Sequence, residues 1–322
     1  MKSINRKFGR NVTLHIILKL VLLIPNCSFL IFYFLSCQSA PKTTEINLDE
    51  AAFFPLDPGA AVYVYADVRS ALPFINLNDK QLQQMVNQTS YAAAALYLPE
   101  MFPKVTLRYQ LTAWGTYPAS KAKMAFNASK EFAKIHSAIS DKDYWHSSHG
   151  GLSLALTANR AYVSAAAWNI PNPPHDPYAA LPGTAIPEGF NEFRKDSIIA
   201  CWFEEPALIL NKLLEKIEIP LEIPAEQLFI SISVSDDQLC NACIRIAVGS
   251  PAQARALTTL FALARAFMLP DGAPSEAGFT SPADLASFLF ASPPIQDDKY
   301  LIIQTNPFSA ADIGELFKSS VF

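Results

Sequence analysis

Two histidines stand three residues apart in "DYWHSSHGG", His146 and His149, with Asp141 and Asp143 just upstream. An i, i+3 pair on one helical turn can bring two imidazoles to one metal, and an aspartate can add a third ligand. The plainer reading is a polar loop ahead of a strand at Leu152, with Trp145 plugging its base. Cys240 and Cys243 in "QLCNACIRIAVG" show the spacing used by redox and zinc sites. Here, however, Ile244, Ile246 and Val248 alternate as in a strand, where positions i and i+3 face opposite sides. Such thiols do not readily bond each other or share a metal, and no second CxxC completes a zinc site. We expect packed strand cysteines, or one bridge to Cys201. The adjacent acids Glu204 and Glu205 can divide acid and base roles. Their place before Pro206 is instead that of a helix N-terminus, which favours negative charge, and Asp67 stands at a similar strand-to-helix step. A G-x-S-x-G elbow is absent, and "GSPAQAR" lacks the glycines and Lys-Ser/Thr pair of a phosphate loop. The expectation is no catalytic residue, no cofactor and no metal, with His146 and His149 the candidates if a metal is held.

The elements that must position these residues fall into two similar halves. The stretch 169–189 carries six prolines and no apolar periodicity, so it reads as a linker. Before it, "AVYVYADVRSALPFI" joins an alternating strand, an acid and a helix former; after it, "SIIACWFEEPALILNKLLEKI" does the same. Further on, "YQLTAWGTYPASKAKMAF" and "CIRIAVGSPAQARAL" each run strand, Gly, polar step, Pro-Ala and basic helix start. Ser250 before Pro251 can cap that helix, and Gly115 and Gly249 free the backbone at the strand ends. Each half closes on an extended stretch with an Asn, "LSLALTANRAYVSAA" and "YLIIQTNPFSAAD". The spacing predicts helices over 79–98, 118–138, 205–217 and 251–268. The last has Leu257, Leu260, Phe261, Ala264 and Phe267 on one stripe. "LFISISVS" alternates cleanly and leads into a hairpin turning at Asp236 and Asp237, whereas "KVTLRYQLTAWG" reads as a single strand. The fold class expected is α+β: two tandem strand-helix-strand-helix-strand repeats, mostly antiparallel sheets with helices on one face. Aromatics are abundant, with 22 Phe, 11 Tyr and 4 Trp. Tyr63 and Tyr65 alternate with Val62 and Val64, giving that strand one aromatic and one aliphatic face. Trp202, Phe203, Phe288 and Phe290 supply the second half. These rings fill an inter-repeat core or line an apolar cleft.

Charge separates the N-terminus from the rest. Residues 1–36 hold Lys2, Arg6, Lys7, Arg10 and Lys19 and no acid, so the body keeps 20 basic and 29 acidic side chains, a net of −9 against −4 for the whole. An acidic body without a basic stripe argues against nucleic acid and against attachment to anionic membrane through surface charge. Residues 16–36 form an apolar run behind the basic start, the order of an export signal, and near the lower limit for a membrane span. The run ends "LIFYFLSCQSA", with Leu35-Ser36-Cys37 followed by polar Gln38 and Ser39. This resembles the lipobox of bacterial lipoproteins, in which the cysteine is diacylated and becomes the mature N-terminus. Phe34 departs from the stricter box and resembles the relaxed boxes of spirochaete lipoproteins. The resemblance implies lipidation at Cys37, palmitate among its acyl chains, and a stable anchor, since two chains hold where one is marginal.

The expected organisation is a signal peptide over 1–36, a tether over 37–57, a first repeat over 58–168, a linker over 169–189 and a second repeat over 190–322. The partner expected is the lipid bilayer of the cell membrane, through acylated Cys37 on the periplasmic or surface side, and no nucleic acid. The role expected is non-catalytic binding or interaction with an envelope protein. Two other readings stand behind it: a carrier of a small apolar ligand in an inter-repeat cleft, and a metal-dependent enzyme using His146 and His149.

Overall fold

The structure is a computed structural model. It describes residues 56, 59–71, 87–97, 108–138, 140–147, 151–165, 186–216, 222–235, 237, 239–268 and 292–309. The leader 1–36, Cys37, His149, Phe288, Phe290 and most of the tether and linker lie outside the described residues. By internal contacts the described residues divide into two compact units, one ending at Glu204 and one beginning at Glu205.

The first unit is an antiparallel sheet of eight described strands: β1 (Val62–Asp67), β2 (Thr89–Tyr97), β3 (Arg108–Gly115), β4 (Phe132–His136), β5 (Asp143–Ser147), β6 (Leu152–Leu156), β7 (Arg160–Ala165) and β8 (Ile199–Phe203). They lie in the order β8-β1-β2-β3-β7-β6-β5-β4. Among the described residues the helices α1 (Val68–Ala71), α2 (Ala119–Ala128) and α3 (Phe190–Phe193) accompany them. Helix α2 buries Ala122 and Phe126 on one sheet face, against Trp145, Leu154, Val163 and Phe132. The Trp145 indole N–H donates to Asn127 Oδ1 at 2.9 Å, which ties the last turn of α2 to the sheet.

The second unit contains β9 (Ala225–Val234), β10 (Cys240–Val248), β11 (Ile295–Asp297) and β12 (Tyr300–Gln304), with α4 (Pro206–Lys216) and α5 (Pro251–Met268). Its sheet order is β11-β12-β10-β9, again antiparallel. Helix α5 packs on β10 to β12, and α4 packs on β9. Mixed antiparallel sheets with few helices place the protein in the α+β class.

Several expectations hold at element level. Helix α5 starts at Pro251, and Ser250 Oγ accepts from Gln253 N–H at 3.3 Å as its cap. Strands β9 and β10 form the expected hairpin, closed where Leu239 C=O accepts from Ser235 N–H at 2.8 Å. Asp67 accepts from Ser70 N–H and Ser70 Oγ–H at 3.1 and 2.9 Å, and Glu205 C=O accepts from Ile209 N–H. Both acids therefore begin helices.

Others are corrected. Residues 89–97 were expected in a helix and form β2 instead. Alanine favours a helix in isolation, but here Ala92 to Ala95 ladder between β1 and β3, and two flanking strands outweigh local propensity. The helix expected over 118–138 stops at Ala128, where Ser129 turns extended (φ −77°, ψ 135°), and His136 lies on β4, not on a helix. The single extended stretch expected over 152–166 is the hairpin β6–β7, turned by Thr157, whose hydroxyl bonds Asn159 and the Arg160 backbone. On α5 the buried stripe is Ala254, Leu257 and Phe261, while Leu260 is exposed. Strand β1 is buried on both faces, so its valine and tyrosine sides are equally enclosed. Gly115 serves close approach: a Cβ there would drive into the Gln88 carbonyl oxygen.

Among the described elements β1, α1, β2, β3 and α2 come in that order, and β8, α4, β9, β10 and α5 follow later in the chain. The first strand of that second series, β8, pairs with β1, and the boundary between compact units falls after it, at Glu204/Glu205.

Candidate functional site

The structure places His146 on β5, in a strand rather than a loop, and its ring Nδ1 lies 3.0 Å from Ser153 Oγ on β6. Burial holds its pKa below the usual histidine range. Asp143 is on the same strand but an odd number of residues away, so it projects from the opposite face. There it pairs with Lys134 Nζ at 2.7 Å and His136 Nδ1 at 3.1 Å. Hydrogen bonds from Lys134 and His136 lower the Asp143 pKa. His146 and Asp143 are thus not brought together, and His149 lies outside the described residues. Among the described residues no group of three His, Cys, Asp or Glu side chains is arranged to hold a metal. Cys201 is buried on β8, and Cys240 and Cys243 lie on β10. Cys240 is fully buried and Cys243 half-buried, as opposite faces of β10 require.

Strand register defines another cluster. On the sheet face away from α2, Gln110, Ser164, Ser153 and His146 stand in one row across β3, β7, β6 and β5. Gln110, Ser164 and Ser153 are buried. Tyr97 O–H donates to Gln110 Oε1 at 2.8 Å at one end, and the His146–Ser153 contact closes the other. Polar groups in such a row avoid desolvation cost only by bonding one another. The adjacent row is Ala93, Thr112 and Tyr162, and the next is Tyr91, Trp114 and Arg160.

Two atoms in these rows break the rule. Thr112 is 0% exposed and Trp114 2%, yet Thr112 Oγ1 and Trp114 Nε1 have no hydrogen-bond partner. Beside them the Arg160 guanidinium lies 5.6 Å from the Trp114 ring centroid. Burial lowers the Arg160 pKa, and no carboxylate among the described residues pairs with it. At the same end of the sheet Gln88 Oε1 is also buried without a partner. Two buried donors and a half-buried cation therefore share the β3–β7 face with Tyr91 and Tyr162.

The neighbouring aromatics are structural. Tyr63 stacks on its cross-strand partner Trp202 at 4.7 Å between centroids, and Phe190 meets Trp202 edge-on at 4.7 Å. Arg194 caps the Tyr65 ring at 4.6 Å, and burial pushes the Tyr65 hydroxyl up to about 12. In the second unit Arg245 lies 3.8 Å from the Tyr300 centroid, with its Nε buried and unpartnered.

The residues around Thr112 and Trp114 escaped sequence reasoning because the pairing of β3 with β7 links positions 46 apart (Trp114 with Arg160). A signal was present: "YQLTAWG" alternates Gln, Thr and Trp with Leu and Ala.

No family model matches the chain, and no curated protein matches it in sequence. Among the described residues, no helix is long and apolar enough to cross a membrane. Two crystal forms of TP0453, a Treponema pallidum protein, align with it. Form IV gives a TM-score of 0.48 at 14% identity over 81% of this chain and 94% of that one. Form III gives a TM-score of 0.50 at 14% identity over 81% of this chain and 96% of that one, so the chain is similar in fold to a spirochaete protein.

Proposed function

We propose that this protein is an exported lipoprotein, held in the membrane by acyl chains on Cys37 and serving a non-catalytic binding or envelope-interaction role. The observation that carries this reading is the order of the N-terminus: basic residues, an apolar run, Leu35-Ser36-Cys37, then polar residues and an acidic body. The fold likeness to a spirochaete protein supports it, since Phe34 fits the relaxed spirochaete box. The element order shared by the two halves supports an origin by tandem duplication of one α+β plan. Its partners in this reading are the bilayer and an envelope protein. Membrane fractionation with radiolabelled palmitate tests it. Wild type carries label and sediments with membranes, and Cys37→Ala loses both. Label persisting in Cys37→Ala sinks the anchor.

A further inference from the structure

We propose that the β4–β5 turn is a proton-operated clasp, closed while the His136 imidazolium bridges Asp141 and Asp143 and released at Asp141 when the ring gives up its proton. The ring stands between two carboxylates: Nε2 lies 3.2 Å from Asp141 Oδ1, and Nδ1 lies 3.1 Å from Asp143 Oδ1. A neutral imidazole has one N–H and one lone pair, so it donates to one of these oxygens and turns its lone pair on the other. Only the imidazolium donates to both. The two carboxylates are not equivalent. Asp143 Oδ2 is also held by Lys134 Nζ at 2.7 Å, and the bonds from Lys134 and His136 keep its pKa below the usual carboxylate range. Asp143 therefore stays ionised and paired whichever form the ring takes. The Asp141 carboxylate has no other partner among the described residues, so its contact is the one given up. Asp141 also carries a backbone cost, since its φ of +56° lies in the left-handed region that a non-glycine residue enters at a penalty. Ser137 fastens the turn from the other side. Its N–H donates to Lys142 C=O at 2.8 Å, and its C=O accepts from Asp141 N–H at 3.2 Å. With the ring contact gone, that long Asp141 N–H bond is left to hold a strained residue. The charged groups facing the ring are Lys134 on β4, Asp143 on β5 and Asp141 in the turn. Of this set only the imidazole changes charge between about pH 5 and pH 8. The clasp is thus closed on the acid side and opens as pH rises. This inference does not depend on the anchor at Cys37.

The test uses the full chain, 15N-labelled, in non-ionic detergent, and reads hydrogen exchange at the Asp141 amide corrected for the intrinsic rate at each pH. In wild type the protection of this amide should fall by about two- to fivefold from pH 5 to pH 8, the range an exposed ion pair supports. His136→Gln removes the titrating ring. Asp141→Asn supplies an amide that can donate to a neutral ring or accept from a charged one. Protection in each variant should be the same at the two pH values. Both side chains are exposed, so neither change endangers the fold, and a response that came from His146 would survive in both variants. The proposal is overturned if wild-type protection at Asp141 is equal at pH 5 and pH 8, or if either variant keeps the wild-type response.

Discussion

Replacing Thr112 by Val should make this protein more stable, the reverse of what most buried substitutions do. The two side chains have nearly the same shape, and both are β-branched and suited to a strand, so backbone and packing change little. What changes is a hydroxyl that is fully buried and bonded to nothing. An uncompensated buried hydroxyl costs about 1–3 kcal/mol in proteins, and Val replaces it with a methyl group in an apolar contact. The expected gain is about 1–2 kcal/mol, or roughly 2–4 °C per kcal/mol in melting temperature for a unit of this size. The control is Thr305→Val. Thr305 is also buried, but its hydroxyl accepts from Ala242 N–H at 3.0 Å and reaches Ala242 C=O at 3.4 Å. Removing it orphans the Ala242 N–H and should cost about 1–2 kcal/mol, while Ala242 C=O keeps the Thr305 N–H as donor. Urea unfolding with matched m-values measures both. If Thr112→Val is neutral or destabilising to the same extent as Thr305→Val, the hydroxyl has a partner after all and the reasoning fails.

Gly115→Ala should cost about 2–4 kcal/mol, because its Cβ meets fixed backbone, whereas Gly249→Ala meets the movable Gln253 and Glu226 side chains and should cost under about 1 kcal/mol; equal urea midpoints for the two would refute the contrast. His146 is held neutral by burial, so the unfolded chain takes up its proton first as pH falls. Its contribution to stability is therefore full above the unfolded value of 6.5 and is lost as pH drops through the lower folded value. His146→Gln should accordingly lose less stability than wild type between about pH 7.5 and pH 5 in paired urea titrations, and parallel losses would count against burial as the cause. Cys201 and Cys240 should resist a thiol reagent in the native protein, and Cys243 should react slowly because burial raises its pKa. All three should label in denaturant without reductant, and any shortfall in that count would reveal a disulfide.

How far the sequence could be read depended on where the relevant contacts lie. Helix α5 and the β9–β10 hairpin were legible because their signals are local: a proline start with a serine cap, and strict alternation on each side of a short turn. Strand β2 was not, because "YAAAALY" carries helix-forming alanines whose fate is set by β1 and β3 on either side. Strand β4 was hidden by its continuity with α2, since only the extended backbone at Ser129 separates the two. The histidine pair drew attention by spacing, yet β5 turns His146 and Asp143 to opposite faces. The buried donors at Thr112 and Trp114 went unnoticed because a missing partner is a property of three dimensions. The box ending at Cys37 was legible because its signal is local too, an apolar run closed by Leu35-Ser36-Cys37, and it lies outside the described residues.

Strand β1 has two partners that arrive at very different times. Its ladder with β2 closes a short loop, but Val62 meets Phe203 only after 141 further residues, 203 less 62. Until β8 has been made, the chain holds a tyrosine-valine edge whose free N–H and C=O groups can template another strand. A chain emerging from the ribosome therefore carries that open edge from Asp67 to Phe203, 136 of its 322 residues. Refolding is governed by one distant closure and not by the many local hairpins. Self-association should compete with folding at this one edge. A truncation ending at Asp196 should aggregate, and a synthetic peptide of residues 197–204 added in trans should suppress it.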